Sequence, residues 1–230
     1  MSRPYVCLNV AASADGKIDT VERRGAAISS PRDRERVDAL RAAADAVMVG
    51  SHTLHDEDPR LTVKSDALRQ ARRERGLPAN PARVAVAGRL RLRPDARFLN
   101  EAPARVVLFT TPQTETAQLD MLRAAGAEVH IHPGPRVDLP RALEALKASG
   151  VERLMVEGGA TLNFALLSLG LVDEITVYVA PLIFGGGSAP TLADGPGLRP
   201  GQALHLELLR AEPWDDGGVL LHYNVGRGPG

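Results

Sequence analysis

Short apolar runs recur along the chain, and several are followed by a helical pattern before the next run begins. Residues 4–12 alternate towards a buried strand. Ser30-Pro31 then opens a helix, with Ser30 as N-cap, Pro31 at the first helical position and Asp33 in the first turn. Its apolar positions are Val37, Leu40 and Ala44. Residues 46–49 form a short apolar run of the type buried on both faces of a parallel sheet. A polar loop follows, from Gly50 through Thr53, Asp56, Glu57, Asp58 and Pro59 to Lys64. Residues 65–80 are basic, helical at first and broken by Gly76 and Pro78, so they read as a mobile insertion. Strands are predicted over 83–87 and 105–111, then a helix with Leu119 and Leu122 inward and Gly126 as its stop. Residues 128–132 alternate and put His130 and His132 on one face, expected to be an exposed edge. Residues 139–149 are helical with Leu143 and Leu146 inward. Residues 154–156 are a buried strand, and Leu162, Ala165, Leu166 and Leu169 mark a helix that Gly170 stops. The apolar run 175–184 ends at Gly185-Gly186-Gly187. Two last strands, 203–210 and 218–225, have no helix between them and read as an antiparallel hairpin.

This alternation predicts an α/β fold: a mostly parallel, doubly wound sheet flanked by helices, with an antiparallel C-terminal hairpin. No repeat or linker divides the chain, so residues 1–230 are expected to form a single domain with an ordered core over about 4–225. The 28 basic residues match the 28 acidic ones, so no global field favours nucleic acid or a membrane surface. Aromatic residues make up only 3%, too few for platforms that stack nucleic-acid bases. No apolar run reaches membrane-spanning length and the N-terminus lacks a signal-peptide pattern. The single cysteine, Cys7, excludes an intramolecular disulfide and fits a reducing cytoplasmic setting.

Candidate chemistry gathers where strands end. Glu157 closes a strand, and Gly158-Gly159 lead into a helix. Such a turn either serves only the backbone, through positive φ, or lets N–H groups at a helix N-terminus approach an anion. A second glycine turn at 185–187, one crossover later, favours a dinucleotide-type site at the carboxyl edge of the sheet. Ser13, Asp15, Gly16 and Lys17 place hydroxyl, carboxylate and ammonium in five residues at another strand end, although Asp-Gly is also a common turn pair. Arg41 shares the apolar stripe of Val37 and Ala44. It either snorkels to the edge or reaches out to hold a phosphate. His52, His55 and the three acids lack metal-ligand spacing, so no metal site is expected.

Taken together, a strand ending in SxDGK, a helix carrying Arg41, a strand leading to VGxxT, acids and Pro59, a strand ending at Gly88, and a strand–EGG–helix before a strand–GGG resemble one family. This is the pyrimidine reductase of riboflavin biosynthesis, found fused to a deaminase in many bacteria and alone in archaea and fungi, with a dihydrofolate reductase-like fold. The His-x-Glu and paired cysteines of the zinc deaminase are absent, so the reductase alone is expected. The resemblance implies that NADPH delivers hydride to C1′ of the ribosyl group of an aminopyrimidine ribosylamine 5′-phosphate, leaving a ribityl chain. It implies cofactor contacts at Thr53, Glu57, Gly88, Gly158, Gly159 and Thr161. It implies substrate contacts at Arg41, Leu61, Lys64 and Glu157, with Lys17 and nearby Asp15 as catalytic candidates. A homodimer is implied as well, with Leu204, Leu206 and Leu208 on a hairpin that pairs or covers a sheet edge. Four positions depart from the family pattern: Glu57 replaces the commoner aspartate, Lys64 an arginine, Ala14 a larger apolar residue and Ala27 a tryptophan. The alanines widen the expected pocket. A reductase of another heterocycle such as a pterin, or a non-catalytic nucleotide-binding module, is the alternative.

Overall fold

The computed structural model describes residues 2–226. The chain divides into two compact units. One comprises Arg36–Met155 with the residues up to Pro4, and the other comprises Tyr5–Glu35 with the chain from Val156 on.

In the first unit the strands β2 (Ala46–Gly50), β3 (Ala82–Val86), β4 (Val106–Thr110), β5 (Glu128–Ile131) and β6 (Arg153–Val156, ending at the unit's boundary) follow the order β5-β4-β3-β2-β6. The β2–β3, β3–β4 and β4–β5 pairs are parallel. Gly50 faces Val86 and Val86 faces Phe109, so the carboxyl ends of three strands line up at one edge. β2 and β4 are buried along their whole length, as their uninterrupted apolar composition demands. Val47, Val49, Leu54, Leu90, Phe98, Leu108 and Leu122 are among the buried side chains of this core. The helices are α2 (Asp66–Glu74), α3 (Arg97–Asn100), α4 (Thr116–Ala124) and α5 (Leu139–Ala148), together with most of α1 (Pro31–Ala43).

The second unit contains β1 (Tyr5–Ser13), β7 (Glu174–Ala180), β8 (Leu206–Pro213), β9 (Val219–Val225) and α6 (Ala160–Ser168). β1 pairs with β7 in parallel, Ser13 opposite Ala180. β9 pairs antiparallel with both β7 and β8. Mixed α/β topology with largely parallel pairing and an antiparallel C-terminal hairpin is therefore what the chain adopts. Tyr178 and Trp214 pack with tilted rings, 5.3 Å between centroids, in the core of this unit, with the Arg32 guanidinium 4.3 Å from the indole centroid.

Local differences from the sequence reading have physical causes. The polar stretch after β2 contains a π-helical turn, Thr53–Glu57, with Thr53 and Leu54 buried. α3 escaped the periodicity because it has only four residues. Its first N–H groups are satisfied by the Asp58 carboxylate, which accepts from Arg97 N at 2.9 Å and Phe98 N at 2.9 Å. His130 is exposed as expected, stacked on Phe109 at 5.0 Å, whereas His132, just past the end of β5, is buried with its ring edge-on to Phe109 at 5.7 Å. Leu169 is 54% exposed, while Asn163 takes a fully buried place on α6.

Two buried arginines stabilise the first unit. Arg72 on α2 is 1% exposed; its Nη1 donates to Ala42 O at 2.8 Å and Ala44 O at 2.7 Å, and its Nε to Pro78 O at 2.8 Å. A cation here complements the carboxyl end of α1 and fastens the basic segment 65–80 to the fold. Arg83 donates to the carbonyls of Arg97 at 3.2 Å, Leu99 at 3.4 Å and Ala102 at 2.6 Å, around the end of α3. Replacing Arg72 by Met keeps the stem and removes its three charge-assisted bonds, leaving the Ala44 and Pro78 carbonyls to find other donors while Ala42 O keeps Arg75 Nη2 at 3.1 Å. Arg72→Met should cost about 1.5–3 kcal/mol or more in urea unfolding, and an unchanged midpoint would show that α2 is held by other contacts.

Candidate active site

The residues expected at the site lie in both units. In the second, the turn after β1 is organised by Ser13, which is 1% exposed. Its hydroxyl donates to Asp15 Oδ1 at 2.6 Å and accepts from Lys17 N at 2.9 Å. Gly16 provides the positive φ, 78°, that closes the turn. The Asp15 carboxylate also accepts from Phe184 N at 3.2 Å and Gly185 N at 2.7 Å. The Ser13 hydroxyl, aided by these two N–H groups, holds the Asp15 carboxyl below the usual carboxylate range. An ionised acceptor engaged on three sides is an anchor for the turn and a poor proton donor. Lys17 extends further along the same segment: its Nζ donates to Ala189 O at 3.2 Å, and its backbone forms a β-bridge with Thr191.

The segment that receives Asp15 and Lys17 continues to the glycine turn before α6. Ile18 N donates to Pro190 O at 3.0 Å, Asn163 Nδ2 to Leu192 O at 2.7 Å, and Asp194 N to Ala160 O at 3.2 Å. Residues 184–194 thus link the Lys17 turn with the Gly158-Gly159 turn. Gly158 adopts φ 100° and the Gly158–Gly159 peptide is cis. A Cβ on Gly158 would come within 4.0 Å of Asn163 Nδ2. Gly159 is the N-cap of α6; it offers no side-chain bond to the first turn, and that turn carries no acid. Asp138 of α5 and Ser65 of α2 do accept N–H groups from the helices they precede. The amino end of α6, with Thr161 exposed in its first turn, therefore keeps its dipole available to an anion. Glu157, half-buried, stands immediately before it.

In the first unit, Thr53 opens the π-helical turn and is 9% exposed, whereas Glu57 closes it in solvent, its carbonyl accepting from Arg97 Nη2 at 2.6 Å. His55 Nε2 accepts from Arg91 N at 3.1 Å and Nδ1 lies 3.2 Å from Ser51 Oγ. This pattern requires a neutral ring, and burial lowers the His55 pKa accordingly. Gly88 follows β3, and its carbonyl accepts from Thr111 Oγ1 at 2.7 Å and Thr110 Oγ1 at 3.2 Å. These threonines tie the ends of β3 and β4 together. Arg41 and the segment 61–64 are brought into contact, since Arg41 Nη1 donates to Thr62 O at 3.2 Å. Leu61 has φ 48° and a buried side chain. Lys64 is exposed, and its backbone is held by Asp38, which accepts from Lys64 N at 2.6 Å and Ser65 N at 2.8 Å.

Sequence reasoning missed Asp38, Asn163 and the Thr110–Thr111 pair. Asp38 was hidden because an aspartate within a helix looks like surface. Asn163 carried a signal, an amide beside Leu162 among the inward positions of an apolar helix.

The chain matches the profile of the RibD C-terminal domain over residues 4–220. It is 46% identical over 193 residues to a 2,5-diamino-6-ribosylamino-4(3H)-pyrimidinone 5′-phosphate reductase of Archaeoglobus fulgidus, covering 84% of this chain and 87% of the relative. The protein of the same name from Methanothermobacter thermautotrophicus is 44% identical over 212 residues, covering 91% and 93%. Among solved structures, RibD of Acinetobacter baumannii superposes with a TM-score of 0.79 at 28% identity, over 97% of this chain and 58% of that one. The fold is thus that of the RibD reductase domains, which are dihydrofolate reductase-like. With a profile match across almost all described residues and relatives aligned along nearly their full length, this chain belongs to the RibD C-terminal domain family.

Proposed function

We propose that the protein is an NADPH-dependent reductase that converts the ribosyl group of an aminopyrimidine ribosylamine 5′-phosphate to ribityl. The two archaeal relatives are named for the 2,5-diamino pyrimidinone and align along nearly their whole length, which favours that substrate over a pterin. The observation that carries a nucleotide cofactor is the amino end of α6, whose N-cap, Gly159, offers no side-chain bond and whose first turn carries no acid. Backbone N–H groups and a helix dipole with no acid in the first turn suit a phosphate. NADPH, when bound, would supply hydride to C1′ of the opened ribosylamine.

The remaining roles belong to this chain's residues. Gly158, Gly159 and Thr161 hold cofactor phosphate, and Thr53, Glu57 and Gly88 contribute further cofactor contacts. Arg41 and Lys64 take the substrate phosphate, while Leu61 and Glu157 shape its sugar and base sites. Lys17 polarises the ribose and supplies a proton as its ring opens. Asp15 acts indirectly: it holds the Lys17 turn against residues 184 and 185. A second copy of the chain is the proposed partner, seated on β8. Among the described residues this edge strand pairs only with β9, and it exposes Leu206, Leu208 and Leu209 at 42, 54 and 53%.

Gly159→Val should block close approach to the helix end and weaken NADPH binding at least tenfold, roughly one charge-assisted bond. Fluorescence titration of the folded variant reads this, and unaltered affinity would remove phosphate from that turn. Arg41→Lys keeps the charge and loses the planar fork, so kcat/KM for the phosphorylated substrate should fall about ten- to a hundredfold with NADPH affinity intact. Wild-type kcat/KM in both Arg41→Lys and Arg41→Met would assign Arg41 a purely structural role. Sedimentation at micromolar concentration should show a dimer that the double variant Leu206→Asp, Leu208→Asp converts to monomer; a monomeric wild type refutes the assembly.

A further inference from the structure

Residues 189–195 touch the Lys17 turn on one side and α6 on the other, all within the second unit. On the Lys17 side, Ala189 O receives the ammonium at 3.2 Å, Pro190 O accepts from Ile18 N at 3.0 Å, and Thr191 forms the β-bridge with Lys17. On the α6 side, Leu192 O accepts from Asn163 Nδ2 at 2.7 Å, and Asp194 N donates to Ala160 O at 3.2 Å. Gly195 lies so close to Phe164 of α6 that a Cβ would come within 2.2 Å of the ring. The Asp194 carboxylate joins the two sides. Its Oδ1 accepts from Thr191 Oγ1 at 2.5 Å, and Thr191 N lies 3.3 Å from Oδ1 and 3.2 Å from Oδ2. A charge that accepts from both donors of one residue fixes that residue's backbone, and with it the carbonyl two positions earlier. A lysine ammonium is a compact charge on a flexible stem, so the acceptor it meets sets its place. Here that acceptor, Ala189 O, follows the run Gly185-Gly186-Gly187-Ser188, which brings few side chains of its own to hold it.

We propose that Asp194 is a positioning residue for Lys17. Through Thr191 it fixes the Ala189 carbonyl that holds the ammonium. Through Ala160 it sets that carbonyl's place relative to the amino end of α6. The proton donor and the phosphate turn thereby share one frame, and the donor keeps its reach to the opening ribose despite the glycines that precede it. The catalytic consequence rests on the reductase reading above, whereas the effect on Lys17 is measurable in the ligand-free protein.

The chain has three lysines, Lys17, Lys64 and Lys147, so each is followed separately by acetic anhydride labelling and mass spectrometry. Asp194→Asn keeps the shape and loses one acceptor, Thr191→Val removes the hydroxyl, and Thr191→Ser keeps it. In the ligand-free protein, Lys17 labelling should rise roughly threefold or more in Asp194→Asn and Thr191→Val. Lys64 and Lys147 should be unchanged, and Thr191→Ser should match the wild type. Lys17 labelled at the wild-type rate in both variants, each folded by thermal melting, overturns the proposal. Acceleration at all three lysines marks a general loosening of the fold and overturns it as well. In steady-state kinetics, kcat of Asp194→Asn and Thr191→Val should fall about tenfold with KM for NADPH unchanged, and Thr191→Ser should keep the wild-type kcat. Accelerated Lys17 labelling with wild-type kcat would refute Lys17 as the proton donor and confine Asp194 to the fold. Absence of any turnover by the wild type would refute the reductase reading and leave the labelling result standing.

Discussion

Backbone groups at the ends of buried strands must find partners, and this protein satisfies many of them with charged side chains. Asp15 accepts two N–H groups from residues 184 and 185, and Asp45 accepts from Glu152 and Arg153. Asp19 accepts from Thr20, Gly25 and Ala26, and Asp38 from Lys64 and Ser65. Arg72 and Arg83 do the converse for carbonyls. Each contact is between a charge and the main chain, so it sets where a loop lies without depending on the loop's own side chains. The strands supply a rigid edge, and these bonds fix the turns that leave it.

Against this habit, the amino end of α6 stands out. Asp138 and Ser65 cap α5 and α2, but Gly159 presents no side chain to α6. The neighbourhood of that turn is otherwise well tied, through Asn163 to Leu192 and through Asp194 to Ala160. A helix end without a side-chain cap from its N-cap residue, within a pinned surround, suits an anion: its donors are held and its first turn carries no acid. The same economy separates Asp15 from Lys17. Asp15 uses its acceptor capacity on the fold, while the Lys17 ammonium makes a single carbonyl contact, to Ala189 O.

The basic segment 65–80 shows how one buried residue changes the meaning of its neighbours. Without Arg72 the run of arginines would read as solvated surface. With Arg72 anchored to Ala42, Ala44 and Pro78, α2 has a defined seat, and the cations on its outer turns bound a specific cavity.

Periodicity alone determined the order of strands and helices, the antiparallel hairpin, and the glycine turns at 158–159 and 185–187. These follow from local rules: side-chain alternation, capping and the conformational freedom of glycine. Residue types at a strand end drew attention to Lys17 and the apolar stripe of a helix to Arg41, while the family resemblance alone gave Thr53 a role. Tertiary structure alone decided which of them meet. That Arg41 bonds Thr62, that Asp15 serves residues 170 positions away, and that Asn163 and Asp38 are buried and working depend on which loops the sheet register brings together. Short elements such as α3 and the π-helical turn were equally illegible, because a few residues carry no period; partners distant in sequence, Arg83 and Asp58, determine them. Local sequence encodes the elements, and the pairing of polar groups across long separations in the chain decides the site.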